Sequence, residues 1–320
     1  MKRKTAWITW ERQQRNISMA RIFDADYFEI TSNMYFILRY AFCVYSTCKI
    51  FLKDYENIFV QNPSIILSFV AVIASKVFGK KVIIDAHNAG VRPAEGRWWM
   101  LQLVNRWILK RSNLVLVSNV ELQNYLTEFT VNCIVIPDPL PQISVARNSE
   151  YTSYDVLFVC SWSEDEPILE YIEAARSNGE LTFAITGNYR KFVDALDRSI
   201  QIPRNLRLMG FIDEVEYYYH IKNSSLVVDL TTRLDCLVCG AYEAISLGNL
   251  VLLTNSEVNR SLFGSAAAYS DLNCGDVGRS IVRALAEKSD LAKVVQNFKF
   301  KYAIRIEQLK EVILSEIERS

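Results

Sequence analysis

The stretch TTRLDCLVCGAYEAISLGNLVLLTN, residues 231–255, decides the fold of this chain. It contains an acidic residue (Asp235), a turn of small residues, a helix that carries Glu243 and a buried strand, 250–253. A short apolar strand, 226–230, comes directly before it. Strand, loop, helix start and second strand is how an open parallel sheet builds a ligand site at its carboxyl edge. The first backbone N–H groups of such a helix lack partners within the helix and favour an anion, such as a pyrophosphate.

Length and composition limit the classes of protein to which this chain can belong. A chain of 320 residues is expected to form two domains, each able to bury its own core. Half of the residues are hydrophobic, and 36 Lys and Arg balance 36 Asp and Glu, so no field of one sign argues for a nucleic-acid partner. The longest apolar run, 65–74, is too short to span a membrane, and no signal peptide follows the basic start. Seven scattered cysteines suit a reducing compartment, and we therefore expect a cytoplasmic protein.

Apolar strands alternate with helices along two parts of the chain, residues 1–140 and 150–300. Between them, the stretch 137–149 contains three prolines and no helical period, which is typical of a domain linker. A final helical segment, 301–320, is expected to return to the first domain. Strands that are apolar through their middles predict parallel sheets covered on both faces. The sequence therefore predicts the α/β class, with two doubly wound Rossmann-like domains.

The quoted stretch also resembles the donor-site signature of GT-B glycosyltransferases of the family 4 type, known from bacterial polysaccharide synthesis. Seven residues follow Asp235 before Glu243-Ala244, and a small segment ending in Gly248 precedes the apolar strand. Further segments are similar to the same family, in the same order: Gln61-Asn62-Pro63, VIIDAHN (82–88), VLVSN (115–119), VIPD (135–138), Thr186-Gly187-Asn188 and Gly210-Phe211-Ile212-Asp213. The resemblance implies a GT-B fold, in which the two domains face each other across a cleft.

The resemblance assigns the candidate site residues. It implies that Glu243 binds the ribose of a nucleotide sugar, that Asp235 faces the transferred sugar, and that His87 faces this sugar from the first domain. These three are the candidate catalytic residues. From position alone, Glu243 could equally complement the helix dipole and His87 could be a structural histidine at a strand end. The other candidate donor-binding residues are Ser161, Gly187, Asn188, Arg190, Phe211, Ile212, Arg233 and the turn Cys239, Gly240 and Ala241.

The chain departs from the family pattern at two positions. Thr9-Trp10-Glu11-Arg12 replaces the Gly-Gly loop after the first strand, which makes Arg12 and Arg15 candidates on the acceptor or phosphate side, although a solvated helix start fits them equally. The stretch SWSEDE, 161–166, replaces the usual Arg and Lys for the diphosphate. Arg190, Lys191 or Arg233 would then have to neutralise the phosphates. Asp165 and Glu166 are predicted to be structural acids at a helix start, and His220 a structural histidine.

A helix over 97–111, RWWMLQLVNRWILKR, is basic and rich in tryptophan. Together with the aromatic segment 34–52, it fits two interpretations. Such a face can lie on an anionic membrane surface, which would suit an enzyme with a lipid-linked acceptor. It can equally be a core helix with basic ends.

The sequence therefore predicts a transferase that moves a sugar from a UDP- or GDP-sugar to a saccharide acceptor in polysaccharide or glycoconjugate synthesis, at the inner face of the membrane. The resemblance implies retention of configuration, no metal, and no cofactor besides the donor. A different enzyme class, sugar-nucleotide epimerisation, remains open on the same fold. So does a binding protein that has lost catalysis, since the Gly-Gly loop and the usual cations are absent.

Overall fold

The computed structural model describes residues 4–32, 34–62, 64–145, 151–190, 201–233, 236–273 and 275–320. The chain divides into two compact units. The first unit comprises Met1–Pro139 and Ile304–Ser320, and the second unit comprises Leu140–Ala303. The division at Pro139 lies inside the proline-rich stretch that separates the two alternating patterns of the sequence.

The first unit is built on a parallel sheet of six strands in the order β2-β1-β3-β4-β5-β6. The strands are β1 (Thr5–Thr9), β2 (Asp26–Glu29), β3 (Asn57–Asn62), β4 (Lys81–Ala86), β5 (Leu114–Val117) and β6 (Cys133–Val135). The helices are Gln14–Ile22, Phe36–Phe51, Ile65–Phe78, Asn88–Val91, Trp99–Leu109 and Val120–Thr127. Because both faces of the sheet are covered, its central strands are buried along their whole length, as the continuous apolar runs predict.

Four of these helices share one hydrophobic core on one face of the sheet. Phe36–Phe51, Ile65–Phe78, Trp99–Leu109 and Val120–Thr127 all contribute to it, together with alternate strand residues such as Ile58. Alternate residues of a strand point to the same face, and right-handed crossovers place successive helices together there. Local signals fix the helix ends.

The helix Ile65–Phe78 illustrates those signals. The Ser64 side chain accepts a hydrogen bond from the Leu67 amide at 3.3 Å, which caps the first turn. Gly79 ends the helix in the left-handed conformation, at φ +63°, which costs glycine little. The sequence predicts both ends.

The second unit is a parallel six-stranded sheet in the order β12-β11-β10-β7-β8-β9. Its strands are β7 (Val156–Phe158), β8 (Phe183–Thr186), β9 (Leu206–Gly210), β10 (Leu226–Asp229), β11 (Val251–Thr254) and β12 (Ala268–Ser270). Its described helices include Ile168–Ser177, Glu214–Asn223, Cys239–Ser246, Glu257–Phe263 and Asp276–Ala286. The strands β8 and β9 lie on one side of β7, whereas β10, β11 and β12 lie on its other side, so the strand order reverses between β7 and β10. The loops that follow these two neighbouring strands therefore lead away from each other. Such a reversal is where open α/β sheets bind ligands.

A long C-terminal helix, Lys288–Arg319, ends the chain. It begins thirteen residues before the predicted final segment, 301–320. The added turns contain Ala, Leu, Lys and Gln, which favour helix even without a hydrophobic period. Buried side chains recur at helical spacing in its last part, at Ile306, Ile313 and Ile317. Its end packs on the first unit, where Lys81 Nζ donates to the Glu318 carbonyl at 3.2 Å.

A buried ion pair joins the helix Gln14–Ile22 to β4 and to the segment that follows β6. Arg15 Nε and Nη2 donate to the two carboxylate oxygens of Asp85, at 3.0 and 2.7 Å, and Nη1 donates to Asp138. Burial by itself would raise the pKa of Asp85, but the Arg15 charge and hydrogen bonds hold it well below its usual range. The acceptor-side role of Arg15 remains a prediction, and the donors that it would use are already occupied.

We expect Arg15→Met to lower the free energy of unfolding by about 3–5 kcal/mol, because Asp85 would stay buried without its cation. Urea unfolding followed by circular dichroism measures this loss. Arg39→Met is the matched control, since Arg39 is exposed, and it is expected to change stability by less than about 0.5 kcal/mol. Equal losses in both variants would show that the buried pair has no special role.

Candidate functional site

The candidate site lies at the carboxyl edge of the second sheet, where β7 and β10 meet. The loop after β7 covers residues 159–167, and the loop after β10 covers 230–238, of which Leu234 and Asp235 lie outside the described residues. The helix Cys239–Ser246 follows the second loop. Every candidate of the second unit that the structure describes follows a strand of this sheet or lies on this helix.

Glu166 organises the loop after β7. Its Oε1 accepts hydrogen bonds from the Ser161 amide at 2.8 Å and from the Ser161 hydroxyl at 3.1 Å, and its Oε2 accepts from the Ser163 amide at 2.7 Å. The loop is therefore folded around an internal carboxylate, at the position where the resemblance would place cations. Ser161, a candidate donor contact, has its amide and hydroxyl engaged with Glu166.

Asp165 ties this loop to the loop after β10. Its Oδ2 accepts a hydrogen bond from the Thr231 hydroxyl at 3.0 Å, and its backbone carbonyl accepts from the Thr232 amide at 2.7 Å. Arg233 Nε lies 3.4 Å from the same Oδ2, with the Arg233 side chain 62% exposed. Arg233 thus lies at the strand-order reversal, and part of its charge is balanced by Asp165.

Asp229 lies in the candidate site, although the sequence analysis does not single it out. It is the last residue of β10, it is buried, and its Oδ2 accepts a hydrogen bond from the Gly240 amide at 2.9 Å. A Cβ on Gly240 would lie 2.4 Å from that oxygen, so only glycine fits. Burial, and then the negative charge of Glu243, raise the pKa of Asp229 well above its usual value. One of the three predicted phosphate-binding amides is therefore engaged with a buried carboxyl group.

Glu243 is buried on the second turn of the helix Cys239–Ser246. Tyr217, on the helix Glu214–Asn223, donates its hydroxyl to Glu243 Oε2 at 2.7 Å and so fixes the carboxyl group. Burial raises the pKa of Glu243 to about 7, although the hydrogen bond from Tyr217 acts in the opposite direction. The carboxyl group of Glu243 is thus fixed in position, mostly buried, and ionises near neutral pH. These properties fit a role in ligand binding better than a role that only complements the helix dipole.

Gly187, a candidate donor-binding residue, lies in a tight turn after β8. It has φ +87°, and a Cβ there would lie 2.2 Å from the Cys160 carbonyl oxygen and 2.8 Å from the Trp162 ring. Trp162 Nε1 donates to the Thr186 carbonyl at 2.7 Å, which packs the ends of β7 and β8 together. Phe211, directly after β9, is 90% exposed, as an aromatic contact for a base would be.

The structure places the remaining candidates as follows. Asn188 and Arg190 follow β8 and are exposed, Ile212 is half-buried, Cys239 is exposed, and Ala241 is buried. Arg12 and His87 belong to the first unit. Arg12 is exposed, and His87 Nε2 lies 3.6 Å from Asp85 Oδ2, beside the Arg15 ion pair. Asp235 and Lys191 lie outside the described residues.

The structure also describes the surroundings of His220 and the grouping of potential metal ligands. His220 is buried, its ring lies 5.6 Å from that of Tyr154, and Nε2 lies 3.6 Å from Glu216 Oε1, which agrees with the structural role predicted for it. In the part of the chain that the structure describes, no three His, Cys, Asp or Glu side chains are grouped to hold a metal ion.

The fold is shared with several solved proteins. HepE from Anabaena, solved in complex with UDP, matches with a TM-score of 0.69 and 12% identity over 99% of this chain and 100% of its own. A sucrose-phosphate synthase from Thermosynechococcus elongatus matches with a TM-score of 0.69 and 14% identity over 99% and 98%. A putative UDP-N-acetylglucosamine 2-epimerase from Listeria monocytogenes matches with a TM-score of 0.62 and 12% identity over 92% and 91%.

These likenesses confirm the predicted GT-B fold. No protein-family model and no curated protein sequence matches the chain. At identities of 12–14% the likeness extends to the fold alone, so membership of family 4 stays a prediction.

Gly240→Ala is expected to lower the free energy of unfolding by about 1–3 kcal/mol, because the new methyl group overlaps the Asp229 carboxyl group. Gly179→Ala is the matched control: Gly179 is exposed, with nothing within 4 Å of an added Cβ. Thermal or urea unfolding of both variants makes the comparison. A Gly240→Ala protein as stable as the control would contradict the close contact with Asp229.

Glu243 also predicts a pH dependence of stability. The folded protein keeps the Glu243 proton up to about pH 7, whereas the unfolded chain loses it near the usual pKa of 4.5. The stabilising contribution of the protonated group is therefore present at low pH and is lost as pH rises through 7. Between about pH 5 and about pH 8, the Tm of wild type should fall relative to that of Glu243→Gln, which keeps an acceptor for Tyr217. Parallel Tm curves would show that Glu243 titrates normally.

Proposed function

We propose that this chain is a glycosyltransferase that moves a sugar from a nucleotide sugar to a saccharide acceptor. The observation that carries the proposal is the arrangement at the β7 and β10 ends, where Glu243 is buried, held by Tyr217 and placed directly behind a helix start. Glycosyltransferases and proteins solved with UDP or UDP-glucose share the fold, which supports a nucleotide-sugar donor.

In the proposed reaction, Glu243 accepts hydrogen bonds from the ribose hydroxyls and Phe211 contacts the base. The diphosphate is bound by the amides of Cys239 and Ala241 and by Arg190 and Arg233. Positive potential at this position stabilises the leaving nucleoside diphosphate, in which charge develops as the sugar departs.

The buried carboxyl group of Asp229 suits this arrangement when it is protonated. Its raised pKa keeps it neutral over a wider pH range, so it holds the Gly240 amide without adding a full negative charge beneath the phosphates. Asp235 and His87 are proposed to face the transferred sugar. Retention of configuration and independence of metal belong to the same proposal, and rates measured with and without EDTA test the second.

Two alternatives have specific support. UDP-N-acetylglucosamine 2-epimerases share the fold, and an epimerase needs groups that exchange protons near neutral pH, as Glu243 can. A nucleotide-sugar-binding protein without catalysis is supported by the loop after β7, which is closed on Glu166, and by the pairing of Arg233 with Asp165. The three functions predict different products.

The first measurement is a thermal-shift series with UDP, GDP, ADP and their sugars, because a ligand of the folded state alone raises Tm. Donors that stabilise the protein are then incubated with it, and the products are separated. Free nucleoside diphosphate, with or without an added saccharide acceptor, supports the transferase. An epimerised nucleotide sugar supports the epimerase, and stabilisation without turnover supports the binding protein. No stabilisation by any nucleotide would overturn the proposal.

Glu243→Ala is expected to weaken donor binding by about 10- to 100-fold, since it removes the buried hydrogen-bond acceptor proposed for the ribose hydroxyls. Asp235→Ala is expected to lower turnover with a smaller effect on donor binding, because its proposed contact is with the sugar. Glu287→Ala, which removes an exposed carboxylate of the same unit, is the control. Unchanged donor hydrolysis in both site variants would exclude the assigned roles.

A further inference from the structure

Exposed apolar side chains are concentrated in three segments of the first unit: 34–53, 64–80 and 97–111. Among the described residues, these segments hold nineteen of the twenty-seven large hydrophobic side chains that are exposed. Tyr35 is 88% exposed, Ile37 79%, and Trp98 and Trp99 68% each. A folded protein rarely leaves so much apolar surface in contact with water unless the surface binds something.

The three segments form one continuous surface. Their helices, Phe36–Phe51, Ile65–Phe78 and Trp99–Leu109, bury their inner sides in one core on the same face of the sheet. Ring contacts join neighbouring helices, with centroids of Phe51 and Phe78 6.4 Å apart and those of Phe69 and Trp107 6.0 Å apart. We call the outward sides of these three segments the outer helical face.

The charge of the outer helical face has one sign. Although the whole chain is balanced, its three segments contain nine basic residues and no Asp or Glu. The basic residues are Arg39, Lys49, Lys53, Lys76, Lys80, Arg97, Arg106, Lys110 and Arg111. Two of them lie over exposed aromatic rings: Arg111 is 4.1 Å from the Trp107 centroid, and Lys49 Nζ is 4.5 Å from the Tyr45 centroid.

The combination of exposed apolar side chains and positive charge distinguishes between the partners that the outer helical face could bind. A second copy of the chain, packed face to face about a two-fold axis, would bring cations against cations without a carboxylate between them. A nucleic acid would match the charge but would leave the aliphatic and Trp side chains unused. An anionic lipid surface satisfies both features, since Trp and aliphatic side chains enter the boundary between headgroups and acyl chains while Lys and Arg meet lipid phosphates.

We propose that the outer helical face docks on the surface of an anionic lipid membrane. The helices would lie along the surface, and no helix that the structure describes is long and apolar enough to cross a bilayer. The basic residues supply the electrostatic part of the attraction, and the exposed aromatic residues supply the apolar part. Docking is a property of the first unit and does not depend on glycosyl transfer, although it suits a lipid-linked acceptor.

The test is sedimentation of the purified full chain with vesicles. One set of vesicles contains phosphatidylcholine alone, and the other contains phosphatidylglycerol as well. We expect sedimentation with the anionic set, weaker sedimentation as salt is raised, and much less with the neutral set. No sedimentation with anionic vesicles at low salt would overturn the proposal, as would equal sedimentation with both sets.

Variants locate the binding surface. Neutralising Lys110 and Arg111 together, as K110Q and R111Q, should weaken binding about 25-fold, or about fivefold for each charge. Ile37→Ser and Trp99→Ala should each weaken binding by removing exposed apolar contacts, and thermal unfolding checks that each variant is folded. The matched controls are Lys293→Gln and Phe300→Ser, exposed residues of the second unit, which should bind like wild type.

The same variants exclude the rival partner. If sedimentation equilibrium shows a dimer that Ile37→Ser dissociates, the outer helical face binds a second copy of the chain and the proposal is overturned. Vesicle binding that the Lys110, Arg111, Ile37 and Trp99 variants leave unchanged would equally overturn it, because another surface would then be responsible. A monomeric wild type whose vesicle binding falls in all of these variants supports membrane docking.

Discussion

The hydrogen bond from the Gly240 amide to the Asp229 carboxyl group joins the end of a buried strand to the start of the helix that carries Glu243. It fixes three things together: the distance between strand and helix, the need for glycine at position 240, and the burial of a carboxyl group beneath the helix start. Glu243 lies one turn further along the same helix, and its charge adds to burial in raising the pKa of Asp229. This contact places the start of the helix, and the hydrogen bond from Tyr217 then fixes the Glu243 carboxyl group.

Carboxyl groups replace cations as the organising residues of this site. Glu166 collects the amides of the loop after β7, Asp165 holds the loop after β10, and Asp229 holds the helix start. Each of these acids has hydrogen-bond donors from the protein itself, which is the condition for placing them close together. In the proposed function, a bound diphosphate would meet oriented amides, with Arg233 at the edge of this arrangement. This internal support accounts for a site that lacks the Arg and Lys of the resembling family.

Much of the fold can be predicted from the sequence because its signals are local. Apolar runs predict the buried strands, Ser64 and Gly79 predict the ends of a helix, and three prolines predict the break between the two units. The helix Glu257–Phe263 is missed because it is short, although Ser256 caps its first turn at 3.3 Å from the Asn259 amide. The start of the C-terminal helix is missed because propensity, without a hydrophobic period, determines it.

The partners of the site residues are harder to predict, because they are distant in the sequence. Thr231 and Asp165 are 66 residues apart, and Tyr217 and Glu243 are 26 apart. Only the order of the strands brings such pairs into contact. Asp229 does leave a signal, an acidic residue that ends an apolar strand just before a glycine-containing helix start. Burial, which sets the pKa values of both Asp229 and Glu243, has no comparable local signal.

The C-terminal helix has a consequence for the order of synthesis. Its first half belongs to the second unit and its last part, from Ile304, to the first, so the first unit is not a continuous piece of chain. Strands β1 to β6 leave the ribosome early. The buried residues Ile306, Ile313 and Ile317, which also belong to the first unit, leave it only after the second unit has been made. During translation the first unit must therefore wait with an unfilled apolar surface, and a chain arrested before Ile304 would expose it to chaperones and aggregation.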